Sequence, residues 1–313
     1  MDALSGLISG PRAHDAFLLH AVFDPPWSLR IEDEAPLTLV VVLQGEAWLV
    51  SGDDAPPVRV GAGGVALVRG PDHYTLAGAP DTPPRVVIHP DQRCQTLEGE
   101  DLAESMRLGV RTWGNAADGA TRMLIGTYGL DSEVSKRLLG ALPACVHLRG
   151  EDWDAPFIPL LVDEMRKELP GQDVILDRLL DLLLMSAVRA WVARPEADAP
   201  GWILAGGDPA IGEVLRMLYD DPARAWTVAE LAAGVGMSRA ALARRFTQIV
   251  GEPPMTFLTH WRLTLAADLL CEPGATIGSV AEQVGYASSY ALSAAFKRVR
   301  GMSPKAHRRA QAG

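Results

Sequence analysis

An internal repeat near the C-terminal end constrains this 313-residue chain more than any other feature. Residues 227–238 resemble residues 276–288. Thr227 pairs with Thr276, Leu231 with Val280, Ala232 with Ala281, Val235 with Val284 and Gly236 with Gly285. The second copy gains one residue in its turn, and the match resumes with Ser238 and Ser288, Leu242 and Leu292, Phe246 and Phe296, Gly251 and Gly301, and Pro254 and Pro304. Each feature has a mechanical reading. Thr227 with Glu230 spells a capping box that starts a short helix. Ala232 and Ala281 are small where two helices would cross. Gly236 and Gly285 allow a positive φ in the turn. Ser238 and Ser288 can cap the next helix. The product is helix, tight turn, helix, twice over, an architecture that lays its second helix in a DNA major groove.

The second helix of each copy has one apolar face: Leu242, Phe246 and Ile249 in the first, Leu292, Phe296 and Val299 in the second. At about 100° per residue, the opposite faces carry Ala240, Ala243, Arg244 and Thr247, then Tyr290, Ser293, Ala294 and Lys297. The bland reading of such faces is solvated surface; duplication within a basic segment favours groove contact. Between the copies, residues 254–271 read as one helix with a buried stripe of Phe257, Leu258, Trp261, Leu265, Leu269 and Leu270. It spans about 25 Å, enough with flanking packing to hold two reading helices one DNA turn apart, about 34 Å.

Charge supports this division. The chain carries −10 overall, yet residues 226–313 hold ten basic and five acidic side chains, a net +5 that leaves −15 for residues 1–225. A basic end on an acidic body fits a nucleic-acid module joined to something else.

The first hundred residues read as short strands between Gly and Pro turns: 37–43, 47–50, 58–60, 65–68, 74–76 and 85–89. That texture suggests an antiparallel barrel or sandwich. From about Leu102 the pattern turns helical, with helices expected at 132–142, 156–169 and 174–192. Four charged residues in the last exclude a membrane span. Residues 194–207, with two prolines and three glycines, read as a linker, followed by a helix at 209–219. The expected fold class is α+β: a barrel at 1–100, a helical dimerisation segment at 101–195, a linker at 196–208 and an all-α domain at 209–313. The last contains helix-turn-helix units at 227–248 and 276–299.

The C-terminal residues resemble the AraC/XylS family of transcription regulators. The match runs from Trp226 to about Arg309 and includes the Gly236-Met-Ser238 turn, Leu242 to Phe246, Gly251 to Pro254, Trp261-Arg262-Leu263, Gly285-Tyr286, Phe296 to Arg298 and Gly301 to Pro304. The resemblance implies that residues 239–248 and 289–299 enter adjacent major grooves. It maps base-reading positions onto Ala240, Ala243, Arg244, Ser289, Tyr290 and Ala294. Family members often have arginine where Ala294 stands, so hydrogen-bonded readout is expected to be thin and shape readout correspondingly larger. The full expected DNA-contacting set is Arg239, Ala240, Ala243, Arg244, Thr247, Ser288, Ser289, Tyr290, Ala294, Lys297 and Arg298.

Residues 39–50, Gly61 to Gly64 and Pro71-Asp-His73 more weakly resemble the cupin-type sensor fused to one subgroup of that family. Metal-binding cupins carry a His-x-His pair before the turn matching Gly45-Glu46, but residues 31–38 contain no histidine. His73 alone does not make a site, and it reads instead as a polar rim or pocket residue. No metal, cofactor or catalytic residue is expected.

The expected partners are double-stranded DNA, an unidentified small-molecule effector in the N-terminal domain, a second copy of the chain, and RNA polymerase as a further candidate. No membrane partner is expected. Three widely spaced cysteines argue against a disulfide framework. With no leader pattern visible, they place the protein in the cytoplasm, on the nucleoid. Three alternatives remain open: a cupin enzyme fused to a DNA module; an alkyl-transfer repair protein using Cys145 beside His147; and a thiol redox sensor using Cys94, with its pKa lowered by Arg93.

Overall fold

The apolar runs of the N-terminal sequence pair into two sheets. The computed structural model describes residues 17–52, 55–129, 132–195, 197 and 199–311. Its strands are β1 (Phe17–Phe23), β2 (Ser28–Ile31), β3 (Leu37–Gln44), β4 (Glu46–Val50), β5 (Val58–Gly61), β6 (Val65–Arg69) and β7 (Tyr74–Ala77). They continue as β8 (Val86–Ile88), β9 (Cys94–Thr96), β10 (Arg107–Gly109), β11 (Thr112–Gly114), β12 (Thr121–Tyr128) and β13 (Cys145–Leu148). One sheet has the order β10-β11-β1-β12-β3-β6-β13, the other β5-β4-β7-β2-β8-β9. Their inner faces share one core, in which Ala21, Val40 and Met123 meet Leu29, Leu49 and Leu76.

The continuous apolar run of β3 has a structural cause. The strand is buried from Leu37 through Val42, because the barrel core covers one face of its sheet and a helix covers the other. That helix is α3 (Gln172–Val192), preceded by α1 (Glu133–Ala141) and α2 (Ile158–Met165). Its approach requires a small residue on β12: a Cβ on Gly126 would lie 2.7 Å from Leu180 Cδ1. The Tyr128 hydroxyl donates to the Leu180 carbonyl oxygen at 2.8 Å, fixing the helix over the strand.

The structure departs from the sequence reading in two regions. The stretch after Leu102 was expected to be helical but contributes β10 to β13 to the larger sheet. The strand signal there is short and easily passed over: β12 carries strand-forming Thr121, Ile125, Thr127 and Tyr128 and lies between β1 and β3. The expected linker also contains α4 (Gly201–Leu204) and a 3-10 turn at Ala205–Gly207. Ile203 and Ala205 are buried. A Cβ on Gly201 would lie 1.8 Å from the Ile249 carbonyl oxygen, so this glycine serves close packing.

The chain divides into two compact units. One comprises residues 12–130 and 142–197; the other gathers residues 198–313 together with residues 131–141. Helix α1 thus belongs to the C-terminal unit although its sequence lies between β12 and β13. That unit continues with α5 (Pro209–Asp220), α6 (Val228–Gly234), α7 (Arg239–Val250), α8 (Pro254–Leu269), α9 (Ile277–Gln283), α10 (Ser289–Arg300) and α11 (Pro304–Gln311).

Helix α8 serves two cores. Phe257, Leu258 and Trp261 join the core built by Leu231, Leu242 and Phe246. Leu263, Ala266, Ala267 and Leu270 join that of Val280, Leu292 and Phe296. The single stripe expected from sequence is therefore two faces, one for each helix-turn-helix unit; Leu265 packs at the edge of both cores. Among the described residues no helix is long and apolar enough to cross a membrane.

Candidate nucleic-acid interface

Both copies of the repeat fold alike, and the caps set their geometry. Thr227 caps α6 by accepting from the Glu230 N–H at 3.2 Å, and Glu230 accepts from the Thr227 N–H at 2.8 Å. Thr276 and Ser279 form the same reciprocal box at α9. Gly236 and Gly285 turn the chain with φ of +66° and +78°. Ser238 and Ser288 then cap α7 and α10 through bonds of 3.2 Å from the Ala241 and Ala291 N–H groups. Each second helix has twelve residues and ends at a left-handed glycine, Gly251 or Gly301.

Packing decides which way these helices face. Leu242 and Phe246 are buried on α7, and Leu292, Ala295 and Phe296 on α10. The outward side of α7 exposes Arg239, Ala240, Arg244 and Thr247, with Ala243 half-buried. That of α10 exposes Ser289, Tyr290, Ala294, Lys297 and Arg298, with its cap Ser288 also exposed. Tyr290 is 82% exposed, an unusual position for a large aromatic ring. Two hydroxyls are already donated to their own helices: Thr247 to the Ala243 oxygen at 2.9 Å, and Ser293 to the Ser289 oxygen at 2.7 Å. They can still accept from a base.

The structure sorts the ten basic residues of this segment into two groups. Arg262 donates to the Pro222 and Arg224 carbonyls at 2.6 and 2.7 Å. Arg308 donates to those of Leu270 and Ala275 at 2.8 and 2.9 Å. Arg300 pairs with Glu133, and Arg245 lies 2.6 Å from the Asp208 carboxylate, which also caps α5. These four hold the unit together. Arg239, Arg244, Lys297, Arg298, Lys305 and Arg309 are exposed and have no carboxylate partner among the described residues. Counting charge in the sequence overstated what is free to meet a phosphate.

The barrel unit offers a cavity of about 250 Å³. Leu19, Ala21, Leu29, Val40, Leu76 and Ile125 give it apolar walls, and Thr38, Tyr74 and Thr127 place polar side chains on its lining. Cys94 also lines it. Burial, with Asp101 adding to it, pushes this thiol up to about 11, against the lowering expected from Arg93. Burial also pushes Cys145 up to about 11, so neither cysteine is an activated thiolate. His73 is exposed and does not line the cavity. Among the described residues no group of three or more His, Cys, Asp or Glu is placed to hold a metal.

A β-rich unit with an apolar cavity, joined to duplicated helix-turn-helix units, defines a DNA-binding transcription regulator. Residues 2–193 match the family described as Cupin, and residues 231–310 match a family described as a helix-turn-helix domain. A Streptomyces lividans protein described as an AraC-like transcription regulator is 30% identical over 314 residues, covering 99% of this chain and 98% of the relative. The RCS-specific HTH-type transcriptional activator RclR of Escherichia coli strain K12 is 33% identical over 197 residues, covering 60% of this chain and 68% of the relative. Among solved structures, the DNA-binding domain of AdpA in complex with a target DNA is 33% identical. It covers 32% of this chain and 91% of that one, with a TM-score of 0.31. The chain belongs to the AraC-like family of transcription regulators.

Proposed function

We propose that the protein reads duplex DNA with α7 and α10 in successive major grooves, as a homodimer controlled by a small effector held in the barrel cavity. One observation carries the reading: two capped helices of equal length, each locked by its buried face, leave matching outward faces free. Arg244 serves as the hydrogen-bonding base reader. Ala240, Ala243 and Ala294 meet apolar groups such as thymine methyls, and Tyr290 supplies a large contact surface. Ser289 sits with the base-reading positions, and Thr247 can accept from a base because its proton is engaged by the Ala243 oxygen. Arg239, Lys297 and Arg298, with Ser288, hold the backbone and fix register. The site of action is then the nucleoid in the cytoplasm. RNA polymerase is the further partner if the protein activates.

The cavity favours a small, mostly apolar effector with a polar or charged end, because Asp33, Arg107 and Arg111 also line it. Its volume of about 250 Å³ equals roughly eight waters at about 30 Å³ each. Ligand binding to the folded state raises stability, by about 2.7 kcal/mol at one hundred times Kd. Small phenols and short-chain alcohols and acids that fit the cavity are expected to raise the melting temperature of the full chain. That rise should disappear in Leu76→Trp, which fills the space. Equal stabilisation of both proteins would place the binding elsewhere.

Dimerisation is assigned to α3. Leu176, Leu180 and Leu184 are buried beneath it, while Val174, Ile175 and Leu182 stay exposed on its other side. Exposed apolar stripes of this kind suit a partner surface. Sedimentation of the full chain at micromolar concentration is expected to give a dimer that Leu182→Glu dissociates; a wild-type monomer would contradict the assignment.

A further inference from the structure

Helix α1 is coded within the sensor half of the chain yet is built into the DNA-binding unit. Val134 is buried in the same core as Leu231, Leu242 and Phe246. The first N–H groups of a helix lack partners within it; here one side chain on α8 supplies them. The Glu133 N–H donates to Asp268 Oδ1 at 2.6 Å, and the Val134 N–H to Asp268 Oδ2 at 3.1 Å. The Glu133 carboxylate pairs with Arg300, the last residue of α10, and with Lys136 at 2.9 Å. Burial pushes that carboxyl up, but these two cations outweigh it and hold it below the usual carboxylate range.

Arg137 completes the contact. Its guanidinium lies 4.9 Å from the ring centres of both Trp202 and Phe257, and 5.8 Å from that of Trp261. It has no carboxylate partner among the described residues, so aromatic faces are what hold this cation. Helix α1 therefore grips α4, both halves of α8 and the end of α10. The two helix-turn-helix cores otherwise meet through α8 and where the Gly285 turn packs on the Ala223 backbone, and α1 adds a further brace.

At this same N-terminal end α1 follows the sensor strand β12 along the chain. Ile125 and Thr127 of β12 line the barrel cavity. The strand ends at Tyr128, and α1 begins at Glu133. A change in β12 on filling the cavity has only a short piece of chain through which to act on α1.

We propose that α1 is the transmission element of this regulator. Docked, it holds the two reading helices in one relative setting, and occupancy of the cavity acts through β12 on that docking. The inference rests on the reading of α7 and α10 as the DNA-contacting helices and of the cavity as the effector site. Part of that attachment is polar and cation–π, and those partners can be rehydrated individually, while Val134, Leu138 and Ala141 keep an apolar face of α1 buried.

The test uses the full chain and an operator selected from random duplexes. Two further duplexes carry one base pair added or removed between the two major-groove sites, which turns one site by about a tenth of a helical turn relative to the other. Wild type and Arg137→Lys, which keeps the cation, are expected to lose about tenfold or more on the altered duplexes; Arg137→Met and Glu133→Gln are expected to lose less than about threefold. The ratio between duplexes is the readout, since simple loss of folded protein lowers all affinities together. Equal ratios in all four proteins would overturn the bracing role. Hydrogen exchange at residues 133–141, compared between wild type and Leu76→Trp, tests the sensor link without DNA. Leu76 lies on β7, in the sheet facing β12 across the cavity, and has no part in the docking of α1, so altered protection supports transmission and identical protection overturns it. Failure to select any operator would instead refute the DNA-reading assignment, with the exchange experiment still deciding the link.

Discussion

Gly285→Ala is expected to melt the second helix-turn-helix and abolish specific DNA binding, while Gly236→Ala leaves the protein folded and able to bind. The two glycines occupy equivalent turns with nearly equal positive φ, +78° and +66°. Left-handed backbone costs a residue with a Cβ about 1–2 kcal/mol, and both variants bear that cost. They differ in what the new methyl meets. At Gly236 nothing lies within 4 Å of it. At Gly285 it would lie 2.2 Å from the Ala223 carbonyl oxygen and 2.7 Å from the carbonyl carbon and Cα of the same residue. Those are backbone atoms, so no rotamer change relieves the clash. The loop carrying Ala223 is also held by Arg262, which donates to the carbonyls on either side of it. The combined penalty falls among the exceptional single substitutions, about 4 kcal/mol or more. Calorimetry of the two variants measures the difference. Equal destabilisation would mean that φ alone matters and that the close approach to Ala223 is not a constraint.

Arg244→Ala is expected to cost affinity for the operator and to relax preference at one base position. The side chain is exposed on the outward face of α7, and among the described residues no carboxylate competes for it. Its neighbour Arg245 is tied to Asp208. An arginine free in this way can grip guanine O6 and N7 together, worth about 1–3 kcal/mol of discrimination. Lys297→Ala should behave differently. A phosphate contact carries no sequence information, so its loss weakens all duplexes about equally and lowers the salt slope by about one. Arg245→Ala is the control within the same helix turn, because its charge is already neutralised by a structural partner. An Arg244→Ala protein that lost the same factor on operator, point-mutated operator and random DNA would reduce Arg244 to a backbone contact.

Much of the C-terminal unit was legible because its rules are local. A Thr three residues before a Glu, a Gly at the turn and a Ser at the next cap each specify a backbone state within a few residues, and duplication checked the reading. The outward faces of α7 and α10 followed from periodicity alone. What stayed hidden depended on distant partners. Strand β12 mixes strand formers with Met123 and Leu124, and its place between β1 and β3 depends on partners distant along the chain. Residues 201–207 have the composition of a linker, and Gly201 reads as flexible until Ile249 is placed against it. Nothing near Glu133 in sequence announces Asp268 or Arg300, so the transfer of α1 into the DNA-binding unit could not be foreseen. The division of basic residues into structural and free ones was hidden for the same reason, since carbonyl acceptors leave no mark in sequence. The thiol of Cys94 shows a local rule misleading: the adjacent arginine suggested a low pKa, and burial sets a high one.

The most direct measurement of the central claim is hydroxyl-radical footprinting of the full chain on its selected operator, alongside binding isotherms on operator and random duplex across a range of salt. The account predicts, for each bound protomer, protection of two major-groove segments about ten base pairs apart on one face of the duplex, with operator affinity at least about a thousandfold above random DNA at physiological salt. Contacts confined to one groove segment would contradict the assignment of α7 and α10 as paired reading helices. Equal affinity for operator and random DNA would contradict sequence reading altogether.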